Sequence, residues 1–438
     1  MAVSHRSQAL ALVIAFLATF ASPSDRSAVG RTGDSNVVIE WNQTMLSAFA
    51  TANVAPPPAN RLGAIVQSAV FDAVNGIERG YTPVHVQPAA PAGASARAAA
   101  AAAAYRSLVA FFPAQKASLD AALASSLVRL RDEGEADEST VQGLAWGKAV
   151  ADAMVAWRAA DGFSAPAPSY VFGTAPGVWQ PTPGGSGAPK FQQLATTTPF
   201  ALTSPSQFRP AGPPPLNSAR YAASFAEVKA LGGETSAART AYQTETARFW
   251  QLDTPVAMWD RVADSLSLQH HLNLLKTARV LALVNVSIAD ALIATWDAKV
   301  TFNSWRPVTA IAHADVDGNA DTSADPAWLP LMVTPYFQEY PSAHSATSGA
   351  AAMVLATEFG ANAEFTVTSA GLPGVRRSFD SFADAVSQVA DARVFAGFHF
   401  RFACDDAITL GGNVGAFVEG MLLLPVKTDD SDRGERRD

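Results

Sequence analysis

Cysteine is almost absent: Cys404 stands alone in 438 residues, so neither an intrachain disulfide nor a cysteine-based zinc cluster is available. Charge is scarce as well. Only 16% of residues are charged, and 39 acidic against 31 basic residues give a formal net charge of -8. That balance argues against a general nucleic-acid binder, which needs a basic face. Disorder is excluded by the 49% of hydrophobic residues, because so much apolar surface offsets chain entropy. Membrane-length apolar runs are missing too. The N-terminal run over residues 9–20 has about 12 residues against the ~20 that a bilayer span needs. The most apolar later stretch, residues 280–296, is interrupted by Asn285 and Asp290. No repeat of solenoid period is visible.

What stands at the N-terminus is a short basic start (His5, Arg6), the apolar run, and the small residues Ala21 and Ser22. This is the pattern of a secretory signal peptide over residues 1–21, so the mature chain is expected to be exported, periplasmic or extracellular, without a membrane span. One domain is expected over residues 37–425, with its site region in 276–425. The polar, mixed-charge residues 426–438 read as a disordered tail.

Between the ends the pattern is helical. Leu62, Ile65, Val66, Ala69, Val70, Ala73, Val74 and Ile77 recur at three- and four-residue steps and place one apolar stripe on a helix. The alanine tract 98–104 predicts a second helix closed by Pro113, and two more follow over residues 114–130 and 139–160. Residues 162–215 dissolve into Pro, Gly, Ser and Thr, a long irregular connection. Helices resume over 218 onward, 243–250, 256–276 and 277–299, then from Pro341 to about Glu358, and over 379–395 and 407–423. A turn-rich insert holds the β-prone Phe365 and Val367. The fold class is all-α, a large helical bundle with one long irregular connection.

Three clusters in the second half depart from packing logic. Lys299 and Arg306 lie seven residues apart, about 700° on a helix and so nearly on one face, with Trp296, Phe302 and Trp305 as apolar neighbours. Stacked like charges repel unless an anion lies between them. Pro341-Ser342-Ala343-His344 then precedes a small-residue run; Ser342 is the natural N-cap of a helix whose first-turn N–H groups suit an oxyanion. In the third cluster, Arg393 and His399 fall on different sides of a straight helix, so both can face one site only if the helix breaks, with Gly397 the plausible point. Three cations, a hydroxyl, a helix N-terminus and two imidazoles suit a small oxyanion, one imidazole bonding its central atom and the other moving protons. Carboxylates for a divalent metal are lacking.

The order Lys-x6-Arg-Pro, Pro-Ser-x-His, Arg-x5-His resembles the vanadium-dependent haloperoxidase and type 2 phosphatidic acid phosphatase superfamily. Trp41, Asn42 and the runs 71–75 and 177–182 match as well, so the resemblance covers nearly all of the mature chain and lies nearest to exported bacterial haloperoxidase-like proteins. It implies Lys299, Arg306, Arg393, Ser342 and the Ala343 N–H as oxyanion ligands, and His399 as the nitrogen bonded to vanadium or the nucleophile on phosphorus. His344 becomes the acid/base, Lys299 a catalytic cation, and Trp296 and Phe337 the aromatic wall of the pocket, although both also suit ordinary core packing. Vanadate, or phosphate in its place, is the implied cofactor, with hydrogen peroxide and halide as substrates. The same residues suit an acid phosphatase working on a phosphate ester through a phosphohistidine, and an exported protein that binds an oxyanion without catalysis is the third reading. Ala343 replaces the commoner glycine, Ala392 a frequent serine, and Ala403 a frequent aspartate; Asp405 or Asp406 is left to orient His399.

Other motifs carry less. His270 and His271 point about 100° apart, and His313 is a neighbour of the first cluster. The acidic run 315–321 lacks the glycine and glutamate of a calcium loop and reads as an acidic turn.

Overall fold

The structure, a computed structural model, describes residues 36–426. The expected signal peptide lies outside the described residues, as does the tail from 427 onward.

Five helices form the N-terminal half: α1 (Val37–Thr51), α2 (Pro56–Glu78), α3 (Ala96–Phe111), α4 (Lys116–Asp132) and α5 (Asp137–Ala159). The apolar stripe read from residue 62 lies on α2, which has Pro at its first positions, where the missing N–H is harmless. The alanine tract becomes α3, fully buried from Ala98 to Ala104, because methyl side chains let neighbouring helices approach on several sides. At Gly147 on α5 a Cβ would come within 2.2 Å of the Ala99 carbonyl oxygen, so this close crossing requires glycine.

The second half contributes α6 (Ala219–Leu231), α7 (Ala241–Gln251), α8 (Pro255–Gln269), α9 (Leu274–Phe302), α10 (Pro307–Ala312), α11 (Ala343–Phe359), α12 (Phe382–Phe395) and α13 (Arg401–Met421). One antiparallel pair, β1 (Phe365–Thr368) and β2 (Arg376–Phe379), sets Phe365 opposite Phe379. The all-α reading holds: thirteen helices stand beside this single hairpin among the described residues. α9 is the spine. It packs against α2, α8, α11 and α13, and its apolar run is buried almost throughout, as a core helix rather than a span.

Several boundaries differ from the sequence reading. The helix read over 256–276 is cut where His271 takes a positive φ of 50°, and α9 restarts under an Asn273 cap. α1 and the short α10 were not anticipated. The last helix begins at Arg401, and Phe379 belongs to β2.

The irregular stretch 162–215 is tied down by buried groups. Asp290 of α9 accepts the N–H groups of Phe200, Ala201 and Leu202 at 2.7, 2.7 and 3.0 Å. Asp72 of α2 does the same for Val84, His85 and Val86. Each carboxylate satisfies a run of loop N–H groups that would otherwise lack partners away from water. Farther along, the Tyr170 hydroxyl donates to Asn303 Oδ1 at 2.9 Å and the Trp179 N–H to the Asn303 carbonyl at 2.7 Å. The connection thus grips the end of α9, where the site begins.

Candidate active site

Lys299 and Arg306 do not share a helix. α9 ends at Phe302, Asn303 takes the left-handed conformation (φ 46°, ψ 42°), and Arg306 caps the start of α10. Asparagine tolerates that conformation better than most residues. The turn brings both cations to the segment 337–341. Lys299 Nζ donates to the carbonyls of Gln338, Glu339 and Pro341 at 2.8, 2.9 and 2.6 Å. Arg306 donates from Nε to the Phe337 carbonyl (2.8 Å) and from Nη1 to the Phe398 carbonyl (3.0 Å).

Ser342 caps α11 as read, its Oγ accepting from the Ser345 N–H and lying 3.1 Å from Ser345 Oγ. Ala343 and His344 follow in the first turn. On the third segment α12 ends at Phe395 and Gly397, with φ of +79°, turns the chain. Arg393 and His399 therefore face one place, as the sequence required.

Three buried cations converge with no carboxylate in salt-bridge range of any of them among the described residues: Lys299 and Arg306 are 0% exposed and Arg393 1%. Arg306 Nη2 and Arg393 Nε are buried donors without a partner, as is His344 Nε2 among the ring nitrogens. Arg393 donates from Nη1 to Gln251 Oε1 at 2.5 Å, a neutral acceptor. Burial, and then the neighbouring cations, hold the pKa of Lys299 well below its ordinary value. Only Glu339, beyond salt-bridge range, opposes the charge of Lys299 and Arg306; one carboxylate against three buried cations leaves a net positive site, and burying such charge is expensive, so this arrangement calls for an anion.

Sequence reasoning missed Glu339. Its Oε1 lies 2.8 Å from His399 Nδ1 and accepts the Phe400 N–H at 3.1 Å. Asp405 and Asp406, the expected partners, are elsewhere: Asp406 pairs with Arg220 and accepts from the Tyr340 hydroxyl, and Asp405 is exposed. The signal was a lone carboxylate in the row 337–342, just before the Pro-Ser-x-His segment. Burial lifts the Glu339 carboxyl to about 7, against the opposing pull of Arg306 and Lys299. Arg306 Nη1 lies 3.1 Å from His399 Nε2. A guanidinium only donates, so Nε2 carries the lone pair and the Nδ1 proton goes to Glu339. Burial first, then Arg306, Lys299 and Arg393, holds the His399 pKa well below the usual histidine range. His344 is held neutral in the same way, by burial and then Arg393.

Above the site opens a pocket of about 340 Å³ lined by Trp296, Phe337, Ala343, His344, Thr347 and Gln251 among others. The Trp296 and Phe337 rings lie 4.9 Å apart, and Lys299 Nζ is 5.3 Å from the Phe337 centroid. His270, His271 and His313 are exposed and outside it, and residues 315–321 form a turn in which Asp317 accepts from Thr322.

Residues 279–425 match the family described as the VCPO second helical-bundle domain. A vanadium chloroperoxidase of Curvularia inaequalis is 26% identical over 262 residues, 44% of this chain and 42% of the relative, so the match spans less than half of that curated protein. A solved structure described as the first bacterial vanadium-dependent iodoperoxidase superposes with a TM-score of 0.72 at 26% identity, covering 89% of this chain and 97% of the other. A holo-type bacterial vanadium-dependent chloroperoxidase superposes at 0.67 with 18% identity over 88% and 95%, a likeness of fold. With the three sequence segments converging on one buried cationic site inside that fold, residues 279–425 match the vanadium chloroperoxidase type of helical-bundle domain, and the chain as a whole is similar to vanadium-dependent haloperoxidases.

Proposed function

We propose that the protein is a vanadate-dependent haloperoxidase, oxidising halide with hydrogen peroxide. The observation that carries this reading is the trio of buried cations with no carboxylate in salt-bridge range among the described residues, two of them with an unused guanidinium N–H. The donor set fits a vanadate-sized oxyanion. Arg306 and Arg393 offer Nη2 and Nε, Lys299 adds its charge, Ser342 and the Ala343 N–H stand at the start of α11, and His399 presents the Nε2 lone pair.

Bound there, vanadate supplies a Lewis-acid centre that activates peroxide for two-electron oxidation of halide. Glu339 holds the His399 proton on Nδ1, which fixes the ring and leaves the lone pair on Nε2, where it now faces Arg306 Nη1. His344, kept neutral by burial, would accept a proton from hydrogen peroxide and hand it on to the water that leaves as product. Trp296 and Phe337 exclude bulk water beside Lys299, so its charge acts at low dielectric. The balance is X⁻ + H₂O₂ + H⁺ → HOX + H₂O, and the aromatic wall together with the similarity to proteins described as chloro- and iodoperoxidases supports it over ester hydrolysis.

The test loads the purified chain with orthovanadate and assays peroxide-dependent bromination beside hydrolysis of a chromogenic phosphate ester, with His399→Ala as control. Bromination lost in the control supports the reading. Hydrolysis without bromination replaces it with a phosphatase, and neither activity leaves an oxyanion-binding protein.

A further inference from the structure

Glu339 also lines a second pocket, of about 300 Å³, that shares no residue with the one holding His344. Pro176 and Pro215 on its rim are exposed. Glu339 Oε2 on its lining has no hydrogen-bond partner, and neither the Tyr221 hydroxyl nor Trp305 Nε1 makes a hydrogen bond of ordinary length, although Trp305 faces the Tyr221 oxygen closely enough to act on its pKa. Those residues are 0%, 2% and 2% exposed. Glu339 Oε1 is already taken by His399 and the Phe400 N–H, which leaves Oε2 for this side.

Buried polar atoms in native proteins almost always find partners. Here Trp305 can only donate, the carboxylate accepts, and the tyrosine does both; the group that answers all three is a hydroxyl. The remaining walls are aromatic and proline, with the Phe400 and Phe402 rings stacked 5.2 Å apart. The volume has room for about ten water-sized atoms at ~30 Å³ each, and most waters there would face apolar walls without partners. Charge narrows the class further. Glu339 Oε2, an unpartnered acceptor, disfavours an organic anion, while Lys299, bonded to the Glu339 carbonyl at 2.9 Å, and Arg306 disfavour a cation.

We propose that this pocket is a second ligand site, taking a neutral hydroxyl on a small, flat apolar body, of phenol type, with the hydroxyl satisfied by Trp305, Tyr221 and Glu339. It stands apart from the haloperoxidase reading, since it needs no oxyanion, and its occupant touches the carboxylate that orients His399.

The probe is p-cresol, titrated into the full purified chain without vanadate and followed by calorimetry and ligand-observed NMR. One saturable site per chain is expected. Toluene, which keeps the body and lacks the hydroxyl, should bind about fivefold more weakly or worse, and Tyr221→Phe and Trp305→Phe should each weaken p-cresol by about as much, the scale of one hydrogen bond. Failure to saturate means that the pocket holds water only and overturns the proposal. Undiminished affinity in both variants places the probe elsewhere and overturns it equally. Thermal melts establish that the variants fold; if Trp305→Phe does not, Tyr221→Phe, which removes a single oxygen, decides.

Discussion

His399 and Glu339 are 60 positions apart in the chain and 2.8 Å apart in space. Glu339→Gln keeps an acceptor for the Nδ1 proton, whereas Glu339→Ala frees the ring. Orthovanadate affinity measured by calorimetry should therefore fall about 10–100-fold in the alanine variant and less in the glutamine variant. Equal affinities would show that His399 needs no such partner. Gln251 poses the complementary case. As a neutral acceptor it fixes Arg393 without cancelling its charge. Gln251→Glu would give the guanidinium an internal counterion, and phosphate should then bind about tenfold more weakly or worse in an otherwise unchanged fold. Unchanged affinity would mean that Arg393 does not contribute its charge to the anion.

At the scale of elements, Asp290 does for the irregular connection what a strand partner does in a sheet. Asp290→Asn leaves one acceptor oxygen for three N–H groups, so urea unfolding should show a loss of ~2–3 kcal/mol, with the loop 198–203 protected least from proteases. Helices with a clear apolar stripe were legible in the sequence, α2 and α9 above all, because periodicity records burial directly. The break after Phe302 was not. Lys299 and Arg306 fit two turns of continuous helix so well that spacing alone argued against a stop, and the left-handed Asn303 is held by Tyr170, more than a hundred positions away. Arg393 and His399 gave the opposite result, since their angular mismatch demanded the turn that Gly397 supplies. The cationic and imidazole members of the site were legible as residue types in motif order. Glu339 was not, because a carboxylate acquires its meaning from the ring that packs against it.

Across the whole molecule, buried carboxyl groups shape the response to pH. Burial lifts Asp72 to about 6 and Asp264 and Glu339 to about 7. Each binds its proton more tightly folded than unfolded, so its contribution is fully present below the ordinary carboxylate range and lost as pH rises to 6–7. Stability should decline across that window. Asp264→Asn, which removes one such group while keeping its shape beside Asn42, should flatten the decline by ~2–4 kcal/mol, read as Tm against pH. A slope identical to that of the parent protein would show Asp264 ionising as freely folded as unfolded.

The tie between Tyr170 and Asn303 has a consequence for handling the protein. Val171, 85% exposed, adjoins the one tyrosine whose hydroxyl reaches the turning point between Lys299 and Arg306. An accessible peptide bond thus adjoins the Tyr170 side chain, which shares the hold on that turn with the backbone of Gly177 and Trp179. A limited proteolytic nick at that spot leaves every helix uncut, and orthovanadate affinity measured by calorimetry before and after it should fall if Tyr170 helps hold the turn between the two cations, and stay unchanged if residues 177–179 suffice.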